Sequence, residues 1–265
     1  MLDPAPELVP FSPPHAGDEA APEVPPTRAP RRLLRVERLG AAIEVILCSG
    51  VPTQILVVGA LTALGMQPRT ADGGLSPAFV IALSTIDMVL VIGLVRLFLH
   101  AHRERLRDLV VGGRNPVREA WLGVALIPAT FMLAVLVLAG ILAIRPELHN
   151  VAVNPFERLM ATPQDAAVFA LVAMFAGGVR EEIQRAFIIH RFDGYLGGGV
   201  LGIGLYSGLF ALGHVEQGYA AAIATGALGA AWGIVFYVRR SAIAPIVSHA
   251  GFNIGQLIKF VAFGA

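Results

Sequence analysis

The chain has 265 residues and a formal net charge of +1; 55% of it is hydrophobic and only 15% is charged, with a mean hydropathy of +0.69. A soluble domain carries about 25% charged residues, so this composition argues against a soluble single-core domain, and the near-zero net charge does not suggest nucleic-acid binding. The single cysteine, Cys48, excludes an internal disulfide framework and a cysteine metal cluster. It sits in an apolar run and reads as a packed thiol.

Residues 1–40 hold 11 of the 39 charged residues, which leaves the remaining 225 positions with membrane-protein composition. Residues 1–33 contain nine of the 18 prolines and show no apolar period, so residues 1–38 are expected to form a disordered Pro/Arg-rich cytoplasmic arm. Acids and prolines stand where a signal peptide needs a basic and then an apolar region. From residue 39 to 265 a transmembrane helical domain is expected. A bilayer core needs roughly 20 apolar residues per helix, and the charge-poor stretches give seven spans, at 41–65, 78–99, 120–144, 165–190, 199–215, 218–238 and 241–262. The expected fold is therefore an all-α, polytopic membrane bundle of about seven transmembrane helices. Pro52, Pro128 and Pro245 are expected to begin or kink helices.

Arginine placement orients the bundle. Fourteen arginines, from Arg28 through Arg118 to Arg191, Arg239 and Arg240, fall on one side; Arg69, Arg145, Arg158 and Lys259 fall on the other. The N-terminus is thus expected in the cytoplasm and the C-terminus outside.

Ionisable groups inside hydrocarbon are costly, roughly 2.5–3.5 kcal/mol at a helix centre, and mark function by default. The candidates are Glu44, Asp87, the run from Arg180 to Arg185, His214, His249 and Asn253. Glu181 and Glu182 point about 100° apart on a helix, and Arg185 is spaced to pair with either one. One acid can then take the arginine while the other faces a cavity. Phe210 and His214 are four apart, as are His249 and Asn253, so each pair shares a helix face. Each group alone also fits a hydrogen-bonded packing role. Together, on three separate spans, they suit water activation: a carboxylate takes a proton from water, and an imidazole or amide stabilises the oxyanion. Depth is less even. Glu181 and His249 lie about 13 Å from their cytoplasmic ends, but His214 lies about 21 Å away if its helix begins near residue 200. A later helix start, near Gly204, would remove most of that mismatch.

The ordered set Glu181-Glu182…Arg185, Phe210-x-x-x-His214 and His249-x-x-x-Asn253 resembles the CPBP intramembrane proteases, the Abi or CAAX-protease family that includes the Rce1-type CAAX prenyl endopeptidases. The resemblance covers about residues 165–262. It departs in the first motif: the family's arginine stands five positions after the first glutamate, where this chain has Ala186, and Arg185 comes one position early. Arg180 is an alternative cation. The resemblance implies an intramembrane endopeptidase in a bacterial inner or plasma membrane, acting on a membrane-embedded or juxtamembrane peptide. It implies Glu181 as general base, His214 as its partner, His249 and Asn253 as the oxyanion side, and Glu182 as an assisting group or the arginine's partner. A metal-free site is favoured; if Zn or another divalent metal is used, Glu181, His214 and His249 are its ligands. Two other functions compete. One is a non-catalytic protein of the same fold serving bacteriocin immunity or as a scaffold. The other is a transporter using Asp87 and Glu44, against which no inverted repeat is visible.

Overall fold

The computed structural model describes residues 34–152, 154–160 and 162–263. The expected arm lies outside these residues as far as position 33, and its last residues already belong to a helix that starts at Arg35. Among the described residues the regular structure is helical apart from one isolated bridge between Arg69 and Leu75.

The first expected span is two helices, α1 (Arg35–Leu47) and α2 (Val51–Ala63), bent by 41°. The break follows from Gly50, whose φ of +85° is left-handed, a conformation that glycine adopts without strain. A Cβ at Gly50 would also fall 2.8 Å from Nη2 of Arg180. Pro52 then begins α2, where its missing N–H costs nothing. Helix α3 (Pro77–Ala101) is capped by the Ser76 hydroxyl, and the short α4 (Leu106–Val111) follows. Asn115 caps α5 (Pro116–Ile144), which contains Pro128 without interruption. The fourth expected span divides into α6 (Pro163–Val172), a π-helical segment (Ala173–Arg180) and α7 (Glu181–Tyr195). Then come α8 (Gly199–Leu212), α9 (Tyr219–Arg239) and α10 (Ile243–Phe263).

By length and apolarity, α3, α5 and α9 can cross a membrane, and the bent α1–α2 pair makes a fourth. The other three stretches expected as spans differ for visible reasons. The α6–α7 run carries the Arg180–Arg185 charges, and α10 carries His249, Asn253 and Gln256. Helix α8 has 14 residues, about 21 Å of rise against a hydrocarbon core of about 30 Å. It also begins at Gly199, so the later start near Gly204 is not what the chain adopts.

Helix α10 lies against α5 and the π-helical segment, and α8 packs between α7 and α9. The main apolar core joins Val91 and Val95 of α3 to Phe187 and Ile189 of α7, Ile203 of α8 and Phe236 of α9. Cys48 is buried within it, as expected. Small residues let helices approach in an apolar solvent: a Cβ at Gly178 would lie 2.7 Å from Cβ and 2.9 Å from Cα of Ala250.

At the arginine-rich end, Arg191 is fully buried. Its Nε donates to Glu44 and its Nη1 to Glu104, each at 2.6 Å. His102 reaches Glu44 at 2.7 Å and His190 reaches Glu104 at 2.9 Å. Glu44 is therefore part of an interhelical clamp. Burial by itself would raise the carboxyl of Glu104, but the hydrogen bonds and charges of His190 and Arg191 outweigh it and hold it at about 2.

A depressed carboxyl contributes stability that is full above its unfolded pKa and is lost as pH falls through the folded one. Wild-type melting temperature should therefore decline between pH 4.5 and about 2, and Glu104→Gln should flatten that decline in detergent melts. Gly178→Leu should destabilise by about 1–3 kcal/mol through overpacking. Gly208→Leu, where a Cβ meets nothing within 4 Å, should stay within about 0.5 kcal/mol of wild type in the same melts.

Candidate active site

Glu182, Arg185 and His249 form the dry centre of the site, with 2%, 1% and 5% of their surface exposed. Glu182 Oε1 accepts from Arg185 three residues on, and from His249 Nδ1 at 2.7 Å. The arginine that comes one position early thus keeps a carboxylate partner on its own helix face, while Ala186 is fully buried in the apolar core. The guanidinium carbon of Arg185 lies 4.6 Å from the ring centre of Phe210, 5.5 Å from Tyr206 and 5.7 Å from Trp232. Among the described residues its Nε and Nη2 have no hydrogen-bond partner. These rings take the place of further acceptors through cation–π attraction.

His249 is held on two sides. Its ring stacks on Trp232 at 3.9 Å and 15°, and Trp232 Nε1 donates to Ser248 Oγ at 3.1 Å. Because Nδ1 faces a carboxylate it carries the hydrogen, and Nε2 is turned toward Glu181 Oε2, 3.8 Å away.

Glu181 is placed differently from its neighbour. It opens α7 directly after the π-helical segment, its side chain is 18% exposed, and Arg180 Nη1 stands 3.9 Å from its Oε1. Neither this contact nor that to His249 is short enough for a hydrogen bond. Arg180 itself is bound to Asp87, which also accepts from Thr53 Oγ1. Arg180 thus does not replace the shifted Arg185, and Asp87 pairs across helices with Arg180.

His214 is not on a helix face with Phe210, because α8 ends at Leu212. It is fixed instead by its Nδ1, which donates to the Phe210 carbonyl at 2.7 Å, and by ring contact with Phe210 at 4.6 Å. Its Nε2 is left as an acceptor. Asn253 does share a face of α10 with His249. Its Nδ2 donates to the Ala173 carbonyl at 3.0 Å, and a Cβ at Gly177 would lie 2.6 Å from that nitrogen. π-helical turns recur at functional sites, and here the segment brings Asn253 and Glu181 to one wall.

Glu181, His214, His249 and Asn253 line one cavity of about 470 Å³, and Asp87 and Arg180 stand in its wall. Glu182, Arg185 and Phe210 lie behind it. Among the described residues no group of three or more His, Cys, Asp or Glu is placed to hold a metal ion. Trp232 was not singled out from the sequence; as one of two tryptophans in the middle of an Ala/Gly-rich helix, it was the available signal.

The apolar helical bundle is that of an integral membrane protein, and the carboxylate–histidine cavity lies within it. Residues 163–255, about a third of the chain, match the family model described as Type II CAAX prenyl endopeptidase Rce1-like. All three motifs, from Glu181-Glu182 to His249-x-x-x-Asn253, fall within the matched segment. No curated protein and no solved structure matches the chain.

Removing one partner of a buried ion pair costs about 3–5 kcal/mol, whereas replacing both with apolar groups costs far less. Arg185→Met should therefore lower stability by that amount, and Glu182→Leu with Arg185→Met should recover part of it, read by thermal melts in detergent.

Proposed function

We propose that this chain is an intramembrane endopeptidase that hydrolyses peptide bonds of membrane-associated substrates, with Glu181 as general base. The observation that carries the reading is the division of labour between adjacent acids. Glu182 is taken up by Arg185 and His249, while Glu181 borders the cavity with no hydrogen-bonding partner among the described residues.

Glu181 accepts a proton from a water that His214 Nε2 orients as an acceptor. The water oxygen bonds to the carbonyl carbon, and the carbonyl electron pair moves onto oxygen. The second N–H of Asn253 is available to donate to that oxyanion, and His249, its Nδ1–H held by Glu182, borders the same space. The oxyanion's electron pair then returns to re-form the carbonyl, and the C–N bond breaks as the proton on Glu181 passes to the departing nitrogen, leaving an amine and a carboxylic acid that gives up its own proton to water.

The reading is metal-free; Zn on Glu181, His214 and His249 is the competing form. The short α8, the broken α6–α7 run and the polar α10 complete the bundle within the bilayer, their polar groups turned inward. The N-terminus faces the cytoplasm of a bacterial cell and the C-terminus the outside, as the arginine distribution indicates.

Purified Glu181→Gln should lose about 10²–10⁴ in kcat on a quenched peptide library, with an unchanged melt, and wild-type cleavage should survive a chelator. Loss in chelator with recovery in Zn would establish the metal form. Full activity of Glu181→Gln would remove Glu181 from the mechanism.

A further inference from the structure

The cavity is asymmetric along the bundle. Its deep residues are Glu181, Trp232 and His249. Counted along their helices from the arginine-rich ends at Tyr195, Arg239 and Ile243, they lie about 9–21 Å inside. Along each of these helices the rest of the lining lies farther from the arginine-rich end, and the remainder comes from α2, from the far portions of α3 and α5, from α6 and the π-helical segment, and from the connections at the opposite end. Asn154 comes from the connection after α5 and Gln217 from the α8–α9 connection, where they meet at 3.4 Å. Gln54 and Gln256 line the cavity from α2 and α10 and are exposed. Among the described residues none from 102–115, 196–198 or 240–242, the connections at the arginine-rich end, lines it.

That end is closed by contacts across helices. Beyond the Arg191 clamp, Arg239 binds Glu119, which is 1% exposed, and Arg240 binds Asp193 at 2.7 Å. The Val110 carbonyl accepts from Ala242 N at 2.9 Å and Ser241 Oγ at 3.0 Å. A Cβ at Gly112 would fall 1.5 Å from the Arg240 carbonyl oxygen, so backbone meets backbone there.

We infer that the cavity is reached from the end opposite the arginine-rich loops, through a mouth of neutral carboxamides, and that it takes an extended peptide segment presented on the extracytoplasmic side. A carboxamide offers one acceptor and two donors, the complement of a peptide's own N–H and C=O. Asn154 and Gln217 supply two of them in the connections at that end, and Gln54 and Gln256 two more along the cavity wall. In hydrocarbon such groups are costly unless they face water or a polar partner. The word substrate rests on the protease reading; the side of access does not.

The test uses the full chain in sealed membrane vesicles of both orientations and a membrane-impermeant maleimide. The wild type is the blank, since its one cysteine, Cys48, is buried. Gln256→Cys and Gln54→Cys should label at least tenfold faster from the side opposite Arg107→Cys. Asn154→Cys stands in if either variant fails to accumulate. A water-soluble quenched peptide added outside should be cleaved only by vesicles exposing the Gln256 side. Labelling of the mouth cysteines from the Arg107 side, or from neither side, overturns the inference, as does cleavage confined to the Arg107 side. Labelling as expected, with no cleavage in either orientation, upholds the access route and counts against the protease reading instead.

Discussion

The site depends on one buried carboxylate with two jobs. Glu182 neutralises Arg185 and fixes the tautomer of His249 through the same oxygen. An arginine in so dry a position needs an acid, and the acid needs donors, so neither is stable without the other. Aromatic rings complete the arrangement: Phe210, Tyr206 and Trp232 surround the guanidinium, and Trp232 also backs His249. Because this cluster is self-sufficient, the adjacent Glu181 is free to face the cavity.

The second organising feature is the π-helical segment between α6 and α7. Its Gly177-Gly178 pair brings α10 to within backbone contact. That contact sets Asn253 on the Ala173 carbonyl and His249 beside Glu181. Widening a helix is unfavourable by itself; here the close packing of α10 maintains it. Asp87 and Arg180 tie the same stretch to α3, so the wall that carries Glu181 is anchored from two directions.

The bundle is also polarised end to end. Buried and half-buried ion pairs concentrate at the arginine-rich end, where Arg191, Arg239 and Arg240 each hold an acid from another part of the chain. Neutral carboxamides concentrate at the other end, around the cavity. The arginines that orient a membrane protein thus also join its helices.

Much of this was legible in sequence, for identifiable reasons. Periodicity and hydropathy determined that the chain is a helical membrane protein, because backbone groups in hydrocarbon must be satisfied within a helix. The spacing of Glu181, His214, His249 and Asn253 singled these four out, and all four line one cavity. Spacing could not say how His214 is held, because α8 stops two residues earlier and a single hydrogen bond replaces helix register. Nor could it say which glutamate takes Arg185 or that Arg180 belongs to Asp87, since i, i+3 and i, i+4 partners are equivalent until a third helix supplies His249 or Asp87. The break at Gly50, the division of the fourth span and the shortness of α8 were hidden for a related reason. Apolar stretches measure composition, and only packing decides where a helix bends or ends.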